Sequence, residues 1–274
     1  MIEIIATVQE NVETSAGYRK LTLHLASNIA VQPGQFAMLR PHDAYEPVLR
    51  RALAIYQIQD ERTISFLYQV LGRGTQALAR LRSGDRVDAL LPLGNCWPIE
   101  PVESGGHAVV VSGGIGSASV LLLCEELMKK NIRTTVVFGA ATEAAAVGCG
   151  LNDFRQANPR LITTTDDGSL GERGLVTAPL KRLLMEEAGS RPVIYACGPW
   201  AMMKAVAGIA RDQDTACVVS LEAPMGCGFG VCVGCVVAVN QLEPGEYGTY
   251  KRVCVDGPVF PSEAIRWDVA GMIH

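Results

Sequence analysis

The sequence lacks the features that would place it on nucleic acid or in a membrane. Its formal net charge is −4 and its pI is about 5.6, with no basic stripe, so nucleic acid is not expected as the main partner. The first ten residues, MIEIIATVQE, lack the basic region and long apolar run of a signal peptide. The most apolar stretch, residues 107–124, is interrupted by glycines and serines and is a poor membrane span. We expect a soluble, cytoplasmic protein.

Residues suited to general acid–base catalysis are also few. The chain has only four histidines, each isolated from the carboxylates and nucleophiles with which a histidine usually works. We therefore predict no catalytic residue that would act on a small substrate. Disorder is excluded, because 49% of the 274 residues are hydrophobic, which is enough for two or three cores.

The nine cysteines are unevenly placed. Five are scattered, and four gather near the C-terminus. A secreted disulfide scaffold would be shorter and poorer in core residues, so a reducing compartment and one cysteine-ligated centre fit this chain better.

Three regions follow one another along the chain. Residues 1–102 contain short strand-like runs separated by turn formers, including YRKLTLHLA, QFAMLR, RALAIYQI, RTISFLYQV and DRVDALLPL, with one helix at TQALARLR. This pattern is typical of a small antiparallel β-barrel. Residues 103–216 alternate apolar strands with helices, which predicts a doubly wound parallel α/β sheet, and residues 101–106 could link the two. Residues 217–274 return to short strands around the cysteines, a small β-rich domain.

The clustered cysteines have the spacing of an iron–sulfur site. Cys227, Cys232, Cys235 and Cys254 follow the pattern C-x4-C-x2-C and a distant fourth cysteine, which is that of plant-type [2Fe–2S] clusters. A hairpin around EPGEYG (243–248) would return Cys254 to the loop. A structural zinc site also takes four cysteines, but it usually has two C-x2–4-C knuckles. The spacing favours the cluster.

Two glycine-rich turns are candidates for phosphate binding. Gly114 and Gly116 lie between a predicted strand and a predicted helix, the context in which such a turn holds a pyrophosphate. Glu143, after the next strand, could bind a ribose hydroxyl, which weakly favours NAD over NADP. The second turn, at Gly74 and Thr75, lies in the barrel-like region and is either a second anion site or a barrel corner.

Three other motifs accompany these turns. Arg50 and Arg51 could hold a second pyrophosphate, and the turn PLGN (92–95) is expected close by. Cys197-Gly198-Pro199 follows a strand at the edge where open α/β sheets bind ligands, although a structural cap is an equally good interpretation.

Taken together, these motifs resemble the electron-transfer subunits of NAD-linked dihydroorotate dehydrogenases, within the ferredoxin reductase-like superfamily. The resemblance runs nearly end to end, through RRALAI, YQVLGRGT, SGDRVDALLPLGN, SGGIGSAS, TDDGSLGERGLVT, YACGPWAMMKAV, SLEAPMGCGFGVCVGC and VCVDGPVFPSE. It implies an FAD-binding β-barrel at 1–102, an NAD-binding domain at 103–216 and a [2Fe–2S] domain at 217–274.

The resemblance also implies roles for particular residues. The four clustered cysteines would be the cluster ligands. The FAD and NAD contacts would be Arg51, Ala52, Leu53, Ala54, Tyr68, Gln69, Val70, Gly74, Thr75, Gly114, Gly116, Cys197, Gly198 and Pro199. Four residues depart from the family pattern. Ala54 replaces a hydroxyl residue near the flavin, Ala52 and Ser119 replace prolines, and Ser112 replaces a glycine.

The implied function is electron relay. A flavin exchanges single electrons with a cluster and hydride with NAD, so electrons would pass from an FMN-containing catalytic subunit that oxidises dihydroorotate to NAD⁺, in a heterotetramer of two copies of each subunit. Ferredoxin-, sulfur- or hydrogenase-linked reductases would use the same cofactors. Some ferredoxin-linked relatives have aspartate as the first ligand, and Cys227 argues against that branch. A zinc-binding scaffold is the non-redox alternative, and a visible spectrum would distinguish it.

Overall fold

Two seven-stranded sheets organise the chain. The computed structural model describes residues 1–42, 46–100, 102, 106–157, 159–186, 192–240 and 248–269. The predicted linker at 101–106 and the predicted turn at 243–248 fall almost entirely outside these ranges. None of the helices in the described ranges combines the length and apolar character needed to cross a membrane.

The first sheet is antiparallel and curled, in the order β4-β3-β7-β1-β2-β6-β5. It encloses a core to which Leu21, Leu23 and Phe66 contribute. A short helix, α1 (Arg73–Ala79), follows β6. The strands are β1 Ile2–Ser15, β2 Tyr18–His24, β3 Phe36–Pro41, β4 Arg51–Ala54, β5 Gln57–Asp60, β6 Thr63–Gln69 and β7 Arg86–Leu93.

The longest strand was missed by the sequence analysis. Of the residues of β1, only Ala6 and Val8 are buried, while the charged Glu3, Glu10 and Glu13 are exposed. Strand patterns are read from buried apolar residues, so this mostly exposed strand gives a weak signal. It nevertheless pairs with both β2 and β7 and joins the two halves of the sheet.

The second sheet is parallel except at one edge, in the order β11-β10-β9-β8-β12-β13-β16. Its strands are β8 His107–Gly113, β9 Arg133–Ala140, β10 Arg160–Thr165, β11 Glu172–Arg173, β12 Val193–Cys197, β13 Cys217–Ser220 and β16 Val259–Pro261. The helices that connect its strands are α2 Ser117–Lys129, α3 Glu143–Gly148, α4 Leu151–Ala157, α5 Thr177–Glu186 and α6 Trp200–Asp212. The two short helices α3 and α4 were not predicted.

The C-terminal segment returns to the second sheet. Its first strand, β13, pairs with β12, and β16 pairs antiparallel with β13. Between them, β14 (Val236–Ala238) and β15 (Tyr250–Arg252) form a separate two-stranded sheet. A boundary at 217 would separate β13 from its hydrogen-bonded neighbour, so we propose that the cluster-bearing unit begins after Ser220.

Hydrogen bonds to Asp153 of α4 connect the first sheet to a helix of the second sheet. The hydroxyl of Tyr56, between β4 and β5, donates to Asp153 Oδ2 of α4 at 2.7 Å, and Lys20 Nζ of β2 donates to the same oxygen at 3.2 Å. Tyr56 is completely buried, and burial together with the Asp153 carboxylate raises the pKa of its phenol. The phenol therefore stays protonated and keeps donating.

Substitution of Gly150 tests how closely Tyr56 packs against the start of α4. Its φ is +82°, and a Cβ there would lie 2.0 Å from the Tyr56 hydroxyl. We expect Gly150→Ala to lower the free energy of unfolding by about 1–2 kcal/mol for the left-handed backbone and by about 1–3 kcal/mol more for the clash. Gly17→Ala is the matched control, since its φ is +81° with nothing within 4 Å. Equal losses for the two variants in urea unfolding would contradict the close contact.

Candidate functional site

A cleft of about 330 Å³ opens where the two sheets and the C-terminal segment meet. The first sheet contributes an apolar wall from β4. The second sheet contributes Cys197 and Ser220, its helix α2 contributes Ser119, and residues 221–225 close the third side. Among the residues predicted from the sequence, those that line the cleft are Ala52, Leu53, Ala54, Tyr68, Gln69, Thr75 and Cys197. Val70, also predicted, packs against the core of the first sheet.

Arg51 lies directly on the predicted phosphate turn. A Cβ on Gly74 would come within 1.8 Å of Arg51 Nε, so only glycine leaves room for the guanidinium in this position. Arg51 Nη1 donates to the carbonyls of Leu49 and Arg50 at 2.9 and 3.2 Å, which fixes the side chain. The sequence analysis assigns Arg51 and the Gly74 turn to the same phosphate site, and in the structure Arg51 and Gly74 are in contact.

Arg51 also lines a second pocket, of about 480 Å³, together with Arg73 and Arg80. In the described part of the chain none of these three arginines forms an ion pair with a carboxylate. Glu46 also lines the pocket, but three guanidinium groups outnumber its one carboxylate, which favours an anionic ligand. Arginine is well suited to phosphate oxygens.

The Thr75 side chain stabilises the turn that contains Gly74. Its Oγ1 accepts hydrogen bonds from the backbone N–H groups of Leu71 and Gly72 at 2.9 and 3.1 Å, and donates to the carbonyl of Gly72 at 3.1 Å. The hydroxyl thereby closes the turn at the start of α1. Its capacity to donate is already used within the turn.

The predicted dinucleotide turn packs against the residues that follow β12. Gly116 allows this contact, because a Cβ there would lie 2.5 Å from the carbonyl oxygen of Cys197 and 2.6 Å from Gly198 Cα. Gly114 has φ +54° and nothing within 4 Å of its ideal Cβ position, so its backbone is open to a ligand. Pro199 precedes α6 as its N-cap. The structure thus brings the predicted residues of both motifs to one edge of the sheet.

Acidic side chains follow the next two strands at the same edge. The Glu143 N–H donates to Ser169 Oγ at 2.7 Å, which ties the loop after β9 to the loop after β10. The second loop contains Asp166 and Asp167, and hydrogen bonds from the Ser169 hydroxyl and N–H lower the pKa of Asp167. The edge where a dinucleotide ribose would lie therefore carries three carboxylates, with Arg173 of β11 beside the second loop at Gly168.

The four clustered cysteines form two pairs. The Cys232 N–H points at Cys227 Sγ at 3.5 Å, and the Cys254 N–H points at Cys235 Sγ at 3.4 Å. Cys235 and Cys254 are buried, whereas Cys232 is exposed. The thiol of Cys254 and nearby backbone N–H groups donate to Cys235 Sγ and lower the pKa of Cys235 to about 6. The loop thus stabilises the thiolate of Cys235, the form that binds metal, while the same hydrogen bond raises the pKa of the Cys254 thiol.

The pairing bears on which metal group the loop fits. A mononuclear zinc site would take all four thiols on one ion. A [2Fe–2S] core has two irons and takes two protein ligands on each, so two pairs of thiols match its donor set. Gly228 and Gly230, at φ +81° and +92°, let the loop turn between the pairs.

Two sets of contacts at this site were not predicted. The PLGN turn lies against residues 256–259. The Asn95 side chain accepts from the Val259 N–H at 2.9 Å and donates to the Val259 and Asp256 carbonyls at 2.8 and 3.3 Å. A second contact joins Gly228 of the cysteine loop to Met38 of β3, whose Cγ would lie 2.4 Å from a Cβ on Gly228. No local pattern signals partners more than 160 residues apart.

Known proteins are similar to this chain over most of its length. Residues 222–266 match the family model described as the iron–sulfur cluster binding domain of dihydroorotate dehydrogenase B, and residues 110–208 match the oxidoreductase NAD-binding domain. The electron transfer subunit of dihydroorotate dehydrogenase B (NAD(+)) from Desulforamulus reducens is 35% identical over 86% of this chain and 87% of its own length. That from Geobacillus thermodenitrificans is 38% identical, over 88% and 91%.

Solved structures share the fold. An NADH-dependent reduced ferredoxin-NADP oxidoreductase, studied for flavin-based electron bifurcation, superimposes with a TM-score of 0.82 at 29% identity, over 96% of this chain and 90% of that one. A ferredoxin NADP⁺ reductase from Neisseria gonorrhoeae, with bound FAD and NADP, has a TM-score of 0.62 at 16% identity, over 77% and 91%.

These matches confirm the family, the fold class, the oxidoreductase assignment and the cofactor set predicted from the sequence, namely FAD, NAD and a [2Fe–2S] cluster. The chain belongs to the family of electron transfer subunits of dihydroorotate dehydrogenase B.

Proposed function

We propose that this chain receives electrons from an FMN-containing catalytic subunit that oxidises dihydroorotate and delivers them to NAD⁺. The observation that carries this proposal is the continuity of the site. Residues 221–225 line the cleft and lead directly into the loop of Cys227, Cys232 and Cys235. A flavin in the cleft supplies the chemistry that couples one-electron transfer to hydride transfer. The chain itself binds and orients the groups.

We assign the cleft and the adjoining arginine pocket to FAD. The wall formed by Ala52, Leu53 and Ala54 is apolar, as a flat ring system requires, and Tyr68 and Gln69 lie beside it. The diphosphate would lie at the turn of Gly74 and Thr75, where Arg51 is fixed. Val70 would contribute through its backbone, since its side chain is part of the core.

NAD would bind across the carboxyl edge of the second sheet. Gly114 offers open backbone for the diphosphate, Gly116 lets the turn pack against Cys197, and Cys197-Gly198-Pro199 lead toward the cleft. The acidic edge of Glu143, Asp166 and Asp167 suits a ribose hydroxyl and would repel a 2′-phosphate. This arrangement supports NAD rather than NADP.

The surface around the cysteines is the proposed docking face for the catalytic subunit. Val231, beside the exposed Cys232, is 74% exposed, and Phe229 and Val255 are also large, exposed apolar residues. An exposed apolar group next to a redox centre permits a close, dry approach. We propose a heterotetramer with two copies of each subunit, and a cytoplasmic setting, which suits nine free cysteines.

A second candidate is a reductase subunit of another flavin-dependent complex. It is favoured by the structural likeness to the NADH-dependent reduced ferredoxin-NADP oxidoreductase over nearly the whole chain. The two candidates share cofactors and differ in the partner that docks on the cysteine face.

Co-expression with a cognate dihydroorotate dehydrogenase catalytic subunit tests the proposal. We expect a stable complex that forms NADH from NAD⁺ when dihydroorotate is added. Val231→Glu should prevent co-purification while leaving FAD and iron content unchanged, because it places a charge in the docking face. Leu175→Glu, at a residue 66% exposed and outside this face, is the control. A complex that oxidises dihydroorotate without reducing NAD⁺ would refute the assignment.

The Gly74 position provides a test of the FAD site. Gly74→Ala must displace the Arg51 guanidinium, so we expect FAD to bind the apoprotein at least about tenfold more weakly, the equivalent of one charge-assisted hydrogen bond. Gly72→Ala, in the same turn with nothing within 4 Å of the added Cβ, should bind FAD normally. Fluorescence titration measures both, and equal affinities would contradict the role of Arg51.

The cluster assignment predicts separable losses. Cys254→Ser should remove the visible and EPR signals of the [2Fe–2S] cluster while FAD and NADH-dependent dye reduction remain, because the cleft does not depend on the Cys254 sulfur. Cys96→Ser, at a half-buried thiol outside the cluster, should retain both signals. Stoichiometric zinc without iron in the wild-type protein would instead show that the four thiols form a zinc site.

A further inference from the structure

Small polar side chains form a row across the centre of the second sheet. Ser112 of β8 pairs in register with Cys197 of β12, which pairs with Ser220 of β13. Neighbours in register point to the same face of a sheet. Two residues earlier, Val110, Tyr195 and Val218 belong to one core cluster beneath α2. The row therefore faces α2, and its Cys197 and Ser220 reach the cleft.

A hydroxyl on α2 completes this row. Ser119 Oγ donates to Ser220 Oγ at 3.1 Å, and the two residues are only 7% and 3% exposed. The indole Nε1 of Trp97 donates to the Ser119 carbonyl at 2.9 Å and fixes this turn of the helix. Because the Ser119 proton is used, the Ser220 proton remains free to be donated.

The free proton of Ser220 has two directions available. One is the thiol of Cys197, which is a weak acceptor. Burial raises the pKa of that thiol, so it stays neutral and gains no acceptor strength. The other direction is the cleft, where an amide carbonyl would be a much stronger acceptor.

Other hydroxyls of the cleft are already engaged. Tyr68 donates to Asn11 Oδ1 at 3.2 Å, and Thr75 is used within its own turn. Glu222, two residues after Ser220, also lines the cleft, and its side chain is exposed there. Ser220 and Glu222 together present a donor and an acceptor on one wall. That pattern is complementary to a primary carboxamide, which has one carbonyl and one NH2 group.

We propose that Ser220 donates a hydrogen bond to the nicotinamide carboxamide and that Ser119 is a positioning residue that orients the Ser220 hydroxyl. The inference rests on the proposed binding of NAD at this edge of the sheet. It assigns the recognition of the nicotinamide ring to a hydroxyl pair contributed by α2 and β13. The apolar wall from β4 then contacts the flavin and makes no polar contact with the carboxamide.

The test compares NAD⁺ with ADP-ribose, which has the same diphosphate and adenosine but no nicotinamide. Dissociation constants are measured by calorimetry on the oxidised, FAD-loaded protein. For Ser220→Ala and Ser119→Ala we expect NAD⁺ binding to weaken by about threefold to tenfold, the effect of one lost neutral hydrogen bond, with ADP-ribose unchanged. The double variant should weaken NAD⁺ binding no more than Ser220→Ala alone, and Ser220→Thr should restore it.

Ser112→Ala is the matched control. It belongs to the same row, but its buried Oγ has no hydrogen-bond partner and it does not line the cleft, so its NAD⁺ affinity should equal that of the wild type. Unchanged NAD⁺ binding in Ser220→Ala, or equal weakening of NAD⁺ and ADP-ribose, would overturn the inference while the proposed function stands. Failure of the wild-type protein to bind either ligand would refute the proposed function as well.

Discussion

The site depends on the hydrogen bonds by which Asn95 holds the C-terminal segment against the first sheet. The amide uses both its oxygen and its nitrogen on backbone groups of Val259 and Asp256. A side chain bonded in this way fixes the register of the segment, and the contact of Met38 with Gly228 fixes the cysteine loop itself. Paired thiols and cleft are thereby held as neighbours, which is the condition for passing electrons between them.

A second constraint is that three positions must be glycine, because neighbouring groups occupy the space that a side chain would fill. Gly74 leaves room for Arg51, Gly116 lets the dinucleotide turn touch Cys197, and Gly228 lets the cysteine loop touch β3. At each of these positions a single methyl group would occupy space that a neighbour already fills. The glycines are therefore part of the binding chemistry, because they decide where arginine, backbone N–H groups and thiols can stand.

The sequence predicted those candidates for the site that are encoded locally. Spacing indicated Cys227, Cys232, Cys235 and Cys254 as candidate ligands, and glycine turns between strands and helices indicated both phosphate candidates. Contacts between distant segments could not be predicted. The Asn95 hydrogen bonds, the Tyr56–Asp153 contact and the Ser119–Ser220 pair each join residues about 100 or more positions apart. Strand β1 and helices α3 and α4 were missed because their exposed or short patterns are weak.

The central claim is that electrons pass between the cysteine site and NAD⁺ only through a flavin in the cleft. The most direct measurement follows the EPR signal of the photoreduced [2Fe–2S] cluster after NAD⁺ is added anaerobically, in FAD-loaded and in FAD-depleted protein. The account predicts that NAD⁺ abolishes the signal and yields NADH only when FAD is bound. Reoxidation of the cluster by NAD⁺ at the same rate without FAD, or a signal that persists with FAD present, would contradict it.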